Sequence, residues 1–176
     1  MMTVAASAQN EVGEITVAPT VGLNFANATN VEDSKMKVGP LFGVTAEYGL
    51  TEKLGVSAGL HFSMQGYKIK ESDETFTTKM NYLNIPILAN YYVYEGLAVK
   101  AGVQPGILLS AKEESVDFKE HCNTLDFSIP IGASYEISNF VIDARYNIPL
   151  TKVNKHGNKS EKNSVFQVTV GYKFKL

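Results

Sequence analysis

The chain has no tryptophan and a single cysteine, Cys122, so an internal disulfide is excluded and no cysteine cluster exists to hold a metal. Neither sign of charge dominates. Sixteen Lys plus Arg stand against 18 Asp plus Glu, a net of −2, which removes the electrostatic reason to expect nucleic acid or an acidic substrate as partner. No run approaches the roughly 18 uncharged apolar residues of a membrane-spanning helix, and no stretch repeats apolar residues at helical spacing. A bundle of membrane helices is therefore excluded for these 176 residues. No glycine-rich phosphate loop leads from a strand into a helix. His121 beside Cys122, and His156 alone among polar residues, are too isolated for a metal site, and no cofactor is expected. Cys122 reads as an incidental loop residue.

What the chain does have is a period of two. In "VIDARYNIPL", residues 141–150, Ile142, Ala144, Tyr146, Ile148 and Leu150 fall on one face, with Val141, Asp143, Arg145, Asn147 and Pro149 on the other. Such alternation is the signature of a strand with two unlike faces. It recurs in segments near 14–26, 38–48, 54–69, 80–93, 97–112, 124–137, 140–150 and 163–175. In the fifth, Leu97, Val99, Ala101, Val103, Ile107 and Leu109 oppose Lys100, Gly102, Gln104, Gly106 and Ser110. In the last, Phe166, Val168, Val170, Tyr172 and Phe174 oppose Gln167, Thr169, Gly171 and Lys173.

The links alternate as well. "ANATNVEDSKMK", "KESDETFTTK", "EESVDFKEHCN" and "TKVNKHGNKSEK" are long and polar, while "GLTEK", "YEG" and "SN" are short. Long links at one end and tight turns at the other define an antiparallel up-and-down barrel, all-β and eight-stranded. If Ile137 faces Phe140 across the two-residue turn, Gly132 falls opposite Arg145 and Ser134 opposite Asp143. If Val93 faces Leu97, Leu88 falls opposite Gly102 and Asn84 opposite Gly106.

Size decides which face is inside. The interior of an eight-stranded barrel is just wide enough to be filled by side chains, and eight rows of Ile, Leu, Val, Phe and Tyr would overfill it. The other face carries Gly22, Gly39, Gly43, Gly55, Gly59, Gly102, Gly106, Gly132 and Gly171 among Ser, Thr, Asn and a few charges. The expected lumen is therefore narrow and polar, and the apolar rows form an outer belt that hydrocarbon accepts and water does not. Tyr48, Tyr91, Tyr135, Phe140, Tyr172 and Phe174 fall near the tight-turn end of that belt, where an interfacial aromatic girdle belongs. The inward face would gather Glu47, Lys100, Asp126, Glu136, Asp143, Arg145 and Lys173 into an interior charge network that plugs the lumen.

At the N-terminus, "MMTVAASAQ" looks like the end of a secretory signal. Ala6-Ser7-Ala8 fits the small-residue cleavage pattern. Residues 1–8 are accordingly expected to be a signal remnant, with 9–176 as one barrel domain.

The stretches "YLNIPILANYY" (82–92), "AGVQPGILLSAK" (101–112), "LDFSIPIGASYEI" (125–137), "VIDARYNIPLTKV" (141–153) and "VTVGYKF" (168–174) resemble the porin-like outer-membrane β-barrel proteins of Bacteroidota, often labelled PorT-like. The N-terminal half is similar in layout, through "VGLNFAN" and "GLTEKLGVSAGLHFS". The resemblance implies an outer-membrane address, contact with outer-membrane lipid, and insertion by the barrel assembly machinery through the C-terminal strand. It implies no particular chemistry.

The expected role is that of a small, largely plugged barrel serving membrane integrity, or surface contact through its long loops. The loops are uneven in charge, basic in "TKVNKHGNKSEK" and acidic in "ESDE", and name no ligand. A narrow channel for small solutes is the first alternative. The second is a lipid-modifying enzyme, since His61 and Ser63 stand as His-x-Ser on the third strand, a spacing similar to that of lipid A deacylase barrels. Both residues fall on the inward face, away from acyl chains. A soluble barrel of lipocalin type would need apolar residues inside, the reverse of what side-chain size favours.

Overall fold

The computed structural model describes residues 11–29, 34–71, 74–113, 116–117, 119–151 and 162–176. The expected signal remnant at 1–8 lies outside them, as do His156 and parts of each long link. Eight antiparallel strands close into a barrel. They are β1 (Ile15–Thr29), β2 (Ser34–Gly49), β3 (Leu54–Glu71), β4 (Glu74–Asn84, resuming as Ile87–Tyr94), β5 (Leu97–Glu113), β6 (Leu125–Ile137), β7 (Phe140–Pro149) and β8 (Lys162–Tyr172, resuming as Phe174–Lys175). Each strand pairs with its sequence neighbours, and β1 pairs with β8 from Thr20↔Gly171 to Thr29↔Lys162, which leaves no free edge.

The alternation read from the sequence is the alternation of burial. In β7, Val141, Asp143, Arg145 and Asn147 are buried, and Ile142, Tyr146 and Ile148 are exposed. Outside the barrel, Val21, Phe42, Leu60, Ile87, Val99, Ile131, Ile142 and Val170 stand exposed on successive strands. The six aromatics expected at the tight-turn end are all exposed there. Phe140 meets Tyr172 edge to face at 5.1 Å, and Tyr172 meets Phe174 at 4.8 Å. At that same end the β6–β7 turn places Ser138 at φ 55, an uncommon conformation outside glycine that a two-residue hairpin demands.

The hairpin registers follow the arithmetic of the sequence, with Gly132↔Arg145 and Ser134↔Asp143 in one and Leu88↔Gly102 and Asn84↔Gly106 in the other. Three details differ. Tyr94, not Val93, closes the β4–β5 turn against Leu97. The fourth strand is interrupted at Ile85–Pro86, because proline has no N–H for the ladder; the Pro86 carbonyl accepts from Gly59 N at 2.9 Å instead. A bulge at Leu109 shifts the β4–β5 register from Tyr82↔Leu108 to Asn81↔Ser110. Ser110 therefore leaves the inward face expected for it, while Leu108 and Ala111 are fully buried.

The bulge has a consequence for the lumen. At the long-link end Met80, Tyr82, Leu108, Ala111 and Cys122 form a buried apolar cluster, with Tyr67 packed against it. A narrow, polar interior was expected, and part of this end is apolar. Cys122 is no incidental loop residue either: a 3-10 turn at Lys119–His121 leads into it, and its side chain is buried in the cluster.

Candidate functional site

Nearer the tight turns the lumen is filled by charge, and six of the seven expected residues meet there. Asp143 receives Lys100 Nζ on Oδ2 at 2.9 Å and Arg145 Nε on Oδ1 at 2.6 Å. Lys173 Nζ lies 3.0 Å from Glu47 Oε2 and 2.5 Å from Glu136 Oε1. All six side chains are buried, and their formal charges cancel. Such balance is what a site poor in water requires, because an unmatched buried charge keeps its full desolvation cost.

Tyr92, inward on β4, ties the second group together. Its Oη lies 2.7 Å from both Glu47 Oε1 and Glu136 Oε1, and its one proton serves one carboxylate at a time. Tyr92 was legible as inward from its parity with Leu88, but nothing local in the sequence marks it as the bridge. Around these groups lies a cavity of only about 30 Å³, lined by Thr16, Thr20, Thr45, Ser57 and Thr169 besides the charges. That is room for about one or two water molecules.

Asp126 does not join them. It sits toward the long links, where it accepts a hydrogen bond from Thr151 Oγ1 and, among the described residues, has no cation within ion-pair distance. Its sequence position already places it far along β6 from Glu136, so sharing a face did not mean sharing a level.

Beside the apolar cluster runs a layer of amides, since Ser63 and Gln65 stand opposite Tyr82 and Met80 in the β3–β4 register. Gln167 Nε2 donates to Asn24 Oδ1 at 2.8 Å and Asn24 Nδ2 to Ser63 Oγ at 2.9 Å. Gln65 Nε2 also donates to Ser63 Oγ at 2.7 Å, and Asn163 Nδ2 donates to Gln65 Oε1 at 2.6 Å. His61 is fully buried in this layer, with Nε2 2.9 Å from Thr45 Oγ1 and Nδ1 without a partner. His61 and Ser63 are thus not brought together as base and nucleophile. Each is engaged by a different neighbour, and both face the lumen.

Close backbone approach makes the packing of the charges possible. A Cβ on Gly132 would stand 2.1 Å from the Ala144 carbonyl oxygen and 2.7 Å from Arg145 Cγ, so only glycine lets β6 carry the arginine stem across it. Gly132→Ala is expected to cost about 1–3 kcal/mol through overpacking, measured by unfolding in lipid vesicles. A variant as stable as the parent would mean that Arg145 does not cross there.

A closed eight-stranded antiparallel barrel, apolar outside and polar or sealed within, defines an outer-membrane β-barrel protein. No helix among the described residues is long and apolar enough to cross a membrane; the crossing is made by strands. The model of the outer membrane protein beta-barrel domain family matches residues 7–155, and the chain belongs to that family. Among solved structures it is similar to Ail, the attachment invasion locus protein of Yersinia pestis, at 19% identity and TM-score 0.56 over 93% of this chain and 100% of that one. Neisserial surface protein A is similar at 16% identity and TM-score 0.61, over 90% and 97% of the two chains. OprG of Pseudomonas aeruginosa follows at 15% identity and TM-score 0.55, over 95% and 98%. At these identities the likeness is one of fold. No curated protein matches the chain in sequence.

Proposed function

We propose that this outer-membrane barrel is closed to solutes and acts through its outer surface, in membrane integrity or in contact at the cell surface through its long links. The observation that carries this reading is the filling of the lumen at two levels, by six mutually paired charges toward the tight turns and by an apolar cluster toward the long links. An ion entering from the long-link side would meet the apolar cluster and the hydrogen-bonded amides beside it, and one entering from the other side would have to separate ion pairs. Catalysis is not part of the reading, because His61 and Ser63 are engaged separately. The five C-terminal stretches support a place in the PorT-like group of Bacteroidota, with export by a cleaved signal and insertion by the barrel assembly machinery.

A narrow channel is the second reading. Among the described residues, eight buried polar side-chain atoms lack a protein partner, including Asn84 Nδ2, Gln104 Oε1 and both amide atoms of Asn147. Buried polar atoms of this kind are commonly satisfied by water. The experiment that separates the two readings is single-channel recording of the purified protein in a planar bilayer. No steady unitary current is expected. Regular opening steps that scale with salt would establish the channel instead.

A further inference from the structure

We propose that the long-link ends of β2 to β5 form a binding surface for the phosphorylated headgroups of outer-leaflet lipid, built from Lys35, Lys68, Lys79 and Lys112. Lys35 and Lys68 stand directly opposite each other in the β2–β3 register, and Lys79 and Lys112 directly opposite in the β4–β5 register. Lys68 faces Thr77, two residues from Lys79, so the two pairs are diagonal neighbours in one row across four strands. Lys37 adds a fifth cation. Its Nζ donates to the Gln65 carbonyl at 2.6 Å, and it lies in the field of Lys79 and Lys68.

Like charges placed directly opposite destabilise a sheet unless something neutralises them. The four lysines are exposed, and no ion pair among the described residues reaches any of them. The one acidic register partner is Asp117, on the other side of Lys112. Among the described residues, two opposed lysine pairs with one acidic register partner are matched to an external polyanion.

Position selects which anion. Lys79 continues the outward row that runs through Leu83 and Asn81, and Lys112 lies three residues beyond the exposed Leu109 of the lipid belt. β2, β3 and β5 have 16, 18 and 17 residues, whereas about 9–11 cross the hydrocarbon. With the aromatic girdle fixing the tight-turn end at one interface, the surplus length stands at the other, among the headgroups. The lysine row is therefore continuous with the lipid-facing surface and at the level of lipid phosphates. Each lysine at such a surface strengthens binding of anionic lipid about fivefold.

The test uses the folded full chain in a non-ionic detergent, with native mass spectrometry reporting bound lipid. The probes are bis-phosphorylated lipid A and the same glycolipid without its phosphates. The parent protein is expected to prefer the phosphorylated probe. The variant K35Q/K68Q/K79Q/K112Q is expected to lose that preference by on the order of 600-fold, with binding of the unphosphorylated probe unchanged. Should the fourfold variant fail to fold, K79Q/K112Q is expected to lose about 25-fold. Equal affinity of parent and variant for the phosphorylated probe overturns the proposal, and so does a parent without preference, which would point to neutralisation by the acidic links. Displacement of the lipid by millimolar inorganic phosphate also overturns it, since the site would then take a free anion. Heat-modifiable migration of every variant on gels checks the barrel separately.

Discussion

Asp143→Ala is expected to destabilise the barrel by about 3–5 kcal/mol, the cost of breaking a buried ion pair from one side. The carboxylate holds Lys100 at 2.9 Å and Arg145 at 2.6 Å, so its loss leaves two cations facing each other in the lumen. With Lys100 on the same carboxylate, Arg145→Ala leaves Asp143 one cation, and its cost falls below that of Asp143→Ala. For the same reason, neutralising only Asp143 and Arg145 leaves Lys100 orphaned. Neutralising all three together is expected to be milder than the sum of the single changes, because residues in one network do not act additively. Reversible unfolding in urea with the protein in lipid vesicles measures each variant. Costs that simply add would show that the three groups are independent and individually hydrated.

The second large effect lies on the other face. Val170 and Ile142 are register partners on β8 and β7, both exposed and one outward step from the girdle pair Phe140 and Tyr172. Val170→Arg or Ile142→Arg is expected to cost about 1–3 kcal/mol, between the values for the interface and for the bilayer midplane. The inward and buried Thr169→Ser, which keeps its hydroxyl, is expected to cost much less. Folding yields into vesicles and urea midpoints measure both. Arginine tolerated at Val170 and Ile142 would place those residues in water and turn the barrel inside out.

Much of this architecture was legible because a strand's period of two needs only local residues. The register of β6 against β7 followed from one short turn, and with it the meeting of Arg145 with Gly132 and of Asp143 with Ser134. The inward charges were visible for the same reason. What was not legible depends on closure. Tyr92 reaches Glu136 on a strand 44 residues away, and Gln167 reaches Asn24 over 143 residues, contacts that exist only because β8 returns to β1. Nor does alternation reveal where it slips. The bulge at Leu109 turns Ala111 inward beside Leu108, which parity already places inside, and completes the apolar cluster that Cys122 joins. Asp126 was misplaced for a related reason, since parity assigns a face but not a depth.

The absence of tryptophan, met first as a compositional gap, permits a direct test of which face meets lipid. A single tryptophan placed at Val170 or Ile142 would fluoresce without background from another, and its emission can be challenged by two quenchers. Lipids brominated at mid-chain reach it only from hydrocarbon, and iodide only from water. A girdle control at Tyr94, exposed at the tight-turn end, should respond to bromine near the headgroup. An outward apolar belt predicts strong quenching of Val170→Trp and Ile142→Trp by mid-chain bromine and almost none by iodide. Quenching by iodide with no response to brominated lipid would contradict it.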